Sequence, residues 1–201
     1  MNKVNRIWTV ILAFICLSVV FVSNSGHARG EDDAAKKIKV GDIVMVVPNT
    51  WKQQPPSNRL RLAQFEIPAK GTDKESAELS VFNFGAGGTV VQQVDRWKGQ
   101  FLSAKREFSI EQGKIELGDY VLVELAGTYK KPTGPPVLRK TKEMPGARML
   151  VVMIRTEKGN YFLKLVGLNA TVSAAAADFR KSIGVPAKKA ADDGEKKTDA
   201  P

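Results

Sequence analysis

Cysteine and histidine are almost absent from this chain. Cys16 and His27 are its single examples, and both fall in the first 28 residues. From residue 29 onward there is neither thiol nor imidazole. Ser-His-Asp and Cys-His nucleophilic centres therefore have no place in the body of the chain. Zinc sites built from His and Cys are excluded with them, and so are disulfides. An all-oxygen site for Ca²⁺ or Mg²⁺ stays open in principle, but no Asp-rich loop of the EF-hand type occurs. No metal and no cofactor is expected, and the chain reads as non-catalytic. Acidic residues are also in deficit, at 21 against 31 Lys and Arg, a formal net charge of +10. That excess attracts anionic partners without choosing among them.

The N-terminus has its own character. Lys3 and Arg6 precede an apolar run over residues 7–22 that only Thr9 and Ser18 interrupt. A short polar stretch follows, with Gly26 and Ala28 at the −3 and −1 positions that a signal peptidase requires. Residues 1–28 are expected to be a cleavable signal peptide, so the protein is periplasmic or secreted. The alternative is an inner-membrane anchor through residues 7–22, since the run lies between an ordinary signal core and a full span. Cys16 sits inside the apolar run with no small residue before it, which argues against a lipoprotein.

Residues 29–37 read as a polar spacer, and residues 38–185 as a single α/β domain. A domain of that size buries about two-thirds of its unfolded surface and needs no staple to fold. Residues 186–201 mix Lys188, Lys189, Lys196 and Lys197 with Asp192, Asp193, Glu195 and Asp199 and hold no aromatic residue. Such a tail cannot offset its ordering entropy and is expected to be disordered.

Inside the domain the apolar period alternates between strand and helix. Residues 43–47 form a β-branched run stopped by Pro48. Over residues 60–67, Leu60 and Leu62 point one way, and Ala63, Phe65 and Ile67 the other. Residues 78–84, 113–117, 120–129, 149–156 and 160–166 read as further strands. The residues between 156 and 160 give a hairpin signal. Residues 89–103 read as a helix, with Val90, Val94, Trp97 and Phe101 on one face and a capping box from Thr89 to Gln92. Residues 171–183 read as a second, with Val172, Ala175, Ala176, Phe179 and Ile183 as its stripe and Gly184 at its end. The long segment 130–146, with Pro132, Gly134, Pro135, Pro136 and Pro145, reads as a loop. The order implies an α+β fold, an antiparallel sheet of about six strands covered by two main helices.

Several local sequences resemble a known group. Trp51, Phe65-Glu66-Ile67-Pro68, Arg96-Trp97-Lys98-Gly99-Gln100-Phe101, Gly127-Thr128-Tyr129, Arg148-Met149-Leu150 and the segment 161–167 together are similar to a family of exported bacterial proteins without an assigned activity. More distantly, the element order resembles the PsbP-like α/β/α sandwich. The resemblance implies architecture and export, and carries no ligand residues.

Candidate chemistry is sparse. Lys130, Lys131, Arg139, Lys140, Lys142 and Arg148 stand against Glu143 alone. On one face they would hold an anionic envelope polymer or lipid surface by counterion release. No aromatic residue lies among them to stack on bases, which argues against nucleic acid. Another envelope protein is the remaining partner class. Trp51, beside a Pro-rich stretch, is the candidate for a partly exposed ligand-facing aromatic, with a structural anchor as the alternative. The Gly85-Ala86-Gly87-Gly88 run precedes a helix but lacks the rest of any phosphate-binding motif, and a tight turn accounts for it. Glu66, Glu78, Asp95, Glu116, Asp119 and Glu124 are the carboxylates that a hydrolase of envelope polymers would draw on, and no spacing selects a pair. A cleft with two facing carboxylates would favour that alternative. A basic patch on a flat surface would favour a binding module.

Overall fold

The computed structural model describes residues 35–85, 88–134 and 138–188. The segment read as a signal peptide and most of the charged tail lie outside the described residues. In chain order the elements are β1 Ala35–Val40, β2 Ile43–Pro48, β3 Lys52–Gln54, β4 Arg61–Ile67, β5 Ala77–Asn83, α1 Val90–Lys98, β6 Glu107–Ile115, β7 Gly118–Pro132, β8 Thr141–Thr156, β9 Gly159–Leu168 and α2 Asn169–Lys181. Seven strands make one antiparallel sheet in the order β3-β4-β5-β9-β8-β7-β6, and β1 and β2 pair as a separate hairpin. The fold is α+β, as the alternation of periods implies. Strand β1 begins at Ala35, so three residues of the stretch read as spacer are paired with β2.

One face of the large sheet carries Phe65, Leu79, Leu122, Leu150, Val152, Leu163 and Leu165. It packs against the β1-β2 hairpin through Ile43, Met45 and Val47, against α2 through Val172, Ala175 and Phe179, and against Ile183 just beyond that helix. Each such side chain contributes about 1.5–3 kcal/mol on burial. The stripe of α2 is the one its sequence spacing foretold. Its N-cap, Leu168, offers no side-chain acceptor. The Asp73 carboxylate accepts the Thr171 N–H at 2.6 Å instead, so the β4-β5 loop caps the helix. At the other end Arg180, almost fully buried, makes a two-pronged pair with Glu111 of β6. Tyr120 donates to the same carboxylate at 2.7 Å. Arg180 holds the Glu111 carboxyl below the usual range, with Tyr120 adding to the effect and burial opposing it.

Among the described helices, α1 covers the opposite face. Thr89 and Gln92 form the expected capping box. The helix stops at Gly99, four residues short of the sequence reading, and Phe101 bridges to Tyr129 as extended chain. Val94, Trp97 and Phe101 pack on Val123, Leu125, Met149, Val151, Met153 and Phe162.

The segment read as the loop 130–146 is a correction. It is the outer part of a β7-β8 hairpin, with Lys130 opposite Glu143, Lys131 opposite Lys142 and Pro132 opposite Thr141. Proline and glycine pointed to a loop, but Pro145 and Gly146 build a β-bulge. The register shifts between Gly127 and Tyr129, where Pro145 and Gly146 are the extra length. Proline is tolerated at a bulge because no ladder N–H is needed there, and Gly146 takes φ 67°. The bulge bends the outer hairpin into an arm.

Trp51 is the second correction. It is 2% exposed and belongs to the core beneath the β1-β2 hairpin, where it cannot meet a ligand.

Candidate functional site

The α1 face of the sheet is only half covered. Cross-strand rows make the division visible. One row runs Gln54, Gln64, Ser80, Lys164 and continues as Val151 and Val123. The next runs Lys52, Glu66, Glu78 and continues as Val166, Met149 and Leu125. The apolar ends lie under α1. The polar ends, on β3, β4, β5 and the middle of β9, form the floor of a cleft of about 770 Å³. The β7-β8 arm supplies one wall through Tyr129, Lys131, Pro132 and Met144, and the start of β5 supplies the other through Glu75, Ser76 and Ala77. Lys131 reaches Glu75 across the rim at 3.3 Å. The volume is that of an ordinary small-ligand pocket, about 300–1,000 Å³.

The charges of the floor are arranged unequally. Arg61 pairs with Glu78 at 2.8 Å and also donates to Gln64 Oε1 at 2.7 Å. Glu78 further accepts from Gln64 at 3.0 Å and from Ser80 at 2.9 Å. Glu66, directly opposite Glu78 across β4 and β5, accepts from Gln54 at 3.2 Å and Ser76 at 3.0 Å. Such a cross-strand pair sets the two Cβ atoms about 5 Å apart. Both carboxylates thus have each oxygen engaged by a protein donor.

Lys164 is different. It donates to Gln100 Oε1 at 2.5 Å and to Tyr129 Oη at 3.0 Å, and lies 5.1 Å from the centre of the Tyr129 ring. Among the described residues no carboxylate lies within ion-pair distance of it. An ammonium has three donors, and two are used. Burial pushes its pKa down to about 8, Glu78 opposes that, and Arg61 and Arg96 add repulsion. Burial likewise pushes the Tyr129 hydroxyl up to about 12, with the Glu78 charge adding to the rise and Arg61 opposing it. A desolvated cation without a counter-ion is costly unless something supplies one.

The residues marked in the sequence are partly brought together. Lys131, Arg139, Lys140 and Lys142 are exposed on the arm, and Lys130 stands beside them, half-buried opposite Glu143. Arg148 is not with them. It lies on the other face of the sheet, paired with Glu124 at 2.9 Å and within reach of Asn169 and Ser173 of α2. Glu124 is also met by Lys188 at 3.3 Å. Asp95 points to solvent. Among the described residues no group of three or more His, Cys, Asp or Glu side chains comes together, and no helix is long and apolar enough to cross a membrane.

Lys164, Glu66, Glu78 and Arg61 were not singled out as a group by sequence reasoning. One signal was available: the non-core positions of three strands, Gln64 and Glu66, Glu78 and Ser80, and Lys164, are all polar where a covered sheet needs apolar residues.

No protein-family profile matches the chain, and no curated protein matches its sequence. Among solved structures it is similar to PA94 of Pseudomonas aeruginosa, a protein of unknown function. The identity is 12%, the TM-score 0.42, and the match covers 78% of this chain and 99% of that one. It is also similar to the cyanobacterial PsbP protein, CyanoP, of Synechocystis sp. PCC 6803. There the identity is 10%, the TM-score 0.48, and the match covers 76% of this chain and 91% of the other. At this level of likeness no residue role passes from either protein to this chain.

Proposed function

We propose that this chain is an exported, non-catalytic binding module of the bacterial envelope, with its ligand site in the polar cleft between the β7-β8 arm and the start of β5. The observation that carries this reading is Lys164, a half-buried ammonium on the cleft floor with no counter-ion among the described residues. A bound anionic group would supply the missing partner. Native mass spectrometry of the purified protein tests it. A small adduct is expected on the wild type and absent from Lys164→Met. An unliganded wild type that gains no mass from envelope extract overturns the reading. Export rests on the pattern of residues 1–28, and a mature form that begins at Arg29 is its direct check.

Lys130, Lys131, Arg139, Lys140 and Lys142 give the arm five positive charges against Glu143. We propose that they assist capture of an anionic polymer or lipid surface, with Arg148 set apart from them. Retention on an anionic matrix is then expected to fall steeply with salt. Equal retention at low and high salt removes the arm from the function.

A hydrolase is the second reading, favoured by one observation: Glu66 and Glu78 face each other across β4 and β5. Each of their oxygens already accepts a hydrogen bond from a protein donor, so a substrate would have to compete for them. Cleavage of an envelope polymer by the wild type, lost in both Glu66→Gln and Glu78→Gln, would replace the binding module with an enzyme.

A further inference from the structure

The charges lining the cleft cancel in pairs, with two exceptions. Arg61 neutralises Glu78, and Lys131 neutralises Glu75. Among the described residues Lys164 has no anion, and Glu66 has no cation, only the neutral donors Gln54 and Ser76. Both line the same cleft. In the sheet they are two strands and one residue pair apart, a Cα separation of about 12 Å from strand spacing and rise. Their side chains line the same cleft and leave a gap between the two charges. A ligand of one sign would satisfy one of these groups and oppose the other.

Resting on the cleft reading above, we propose that the ligand is a short zwitterionic peptide, its free carboxylate on Lys164 and its free amine on Glu66. Three extended residues span about 10 Å, which suits the gap. The carboxylate takes the third Lys164 donor and gives the ammonium a counter-ion. The amine gives the Glu66 carboxylate a cation while Gln54 and Ser76 hold its orientation. The Phe82 and Tyr129 rings beside the floor leave apolar surface for small side chains. A neutral sugar would use the same hydroxyl and amide groups but would leave both charges unpaired.

Trialanine and its N-acetyl, C-amide and doubly blocked forms test this. The readout is amide NMR shifts of Gln64, Ser80 and Lys164 in the full protein. The free peptide is expected to bind best, each single block to weaken it tenfold or more, and the double block to abolish binding. Lys164→Met is expected to erase the penalty for amidation and keep the penalty for acetylation. Glu66→Gln is expected to do the reverse, and Lys164→Arg to retain both. Thermal unfolding of each variant separates these effects from loss of fold.

The N-acetyl peptide, which carries only a carboxylate, adds a pH profile. Its binding is expected to fall above about pH 8 as Lys164 loses its proton. The groups facing that ammonium are Tyr129 of β7, Glu78 of β5, Arg61 of β4 and Arg96 of α1. The fall is expected to vanish in Lys164→Arg. Equal binding of all four peptides overturns the proposal, and so does a ranking that neither substitution changes. If no trialanine form binds but a native adduct is lost in Lys164→Met, the peptide is wrong and the cleft reading survives. If both fail, both are wrong.

Discussion

Two halves of one sheet face, built from the same ladders, have opposite chemistry. Along a single row, Gln54, Gln64, Ser80 and Lys164 give way to Val151 and Val123 within one strand spacing. The apolar half is roofed by a helix of nine residues, through Val94 and Trp97, and by Phe101 just beyond it. Over the polar half, among the described residues, stands only the bent hairpin arm. Backbone pairing is the same in both, so the difference lies wholly in side chains. Apolar residues continued across β9 and β5 would add burial energy if covered, and they would aggregate if left bare. The polar half instead carries a desolvated Lys164. A local choice that works against stability marks a place where a fold serves something other than stability.

The largest effect is expected in the apolar half. Trp97→Ala removes a side chain that is 6% exposed and meets Phe162 edge-on with ring centres 6.2 Å apart. A loss of about 3–5 kcal/mol is expected from the urea midpoint. In the polar half the sign reverses. Lys164→Met keeps most of the side chain's length, removes the charge and gives up the hydrogen bonds to Gln100 and Tyr129, and on balance it is expected to stabilise at pH 7 by on the order of 1 kcal/mol. If Lys164→Met destabilises instead, the ammonium is compensated within the protein and the contrast between the halves collapses.

The same contrast sets a pH dependence. Lys164 has a pKa of about 8 when folded against a reference of 10.5. Between those values the unfolded chain binds more protons, so stability rises with pH across that window. Tyr129, raised to about 12 from 10.0, acts in the opposite direction between those two values. The wild type is expected to gain stability from pH 8 towards 10, and Lys164→Met to lack that gain. Parallel curves for the two proteins would place the ammonium in water.

The apolar half was the more legible in sequence, and the reason is range. The capping box at Thr89 and Gln92 and the stripe of Val90, Val94 and Trp97 are local patterns, readable within three to seven residues. The alternation of Ala63, Phe65 and Ile67 against Leu60 and Leu62 is local too, and the burial matches it. The cleft depends on register. Lys164 meets Gln100 from 64 residues away and Tyr129 from 35. Glu66 faces Glu78 only once β4 and β5 are aligned. The arm was hidden for another reason: Pro145 and Gly146 signal a break, and only pairing partners distinguish a bulge from a loop. Trp51 was misplaced because Pro55 and Pro56 suggested an exposed surroundings, while its own bulk drove it into the core.

The smallest effect concerns the rim. Lys131 and Glu75 meet at 3.3 Å, with side chains 52% and 65% exposed. An exposed pair of this kind is worth about 0–1 kcal/mol. Lys131 also faces Lys142 directly across the β7-β8 ladder, and like charges so placed repel. Lys131→Ala removes the bridge and the repulsion together, so stability is expected to change by less than about 0.5 kcal/mol. The bridge nevertheless ties the arm to the start of β5 over the cleft mouth. Its loss is therefore expected to speed ligand release while leaving the urea midpoint in place, a split that stopped-flow displacement of trialanine would measure. An unchanged release rate would make the bridge a surface ornament and leave Tyr129 and Lys164 as the contacts that hold the arm against the floor.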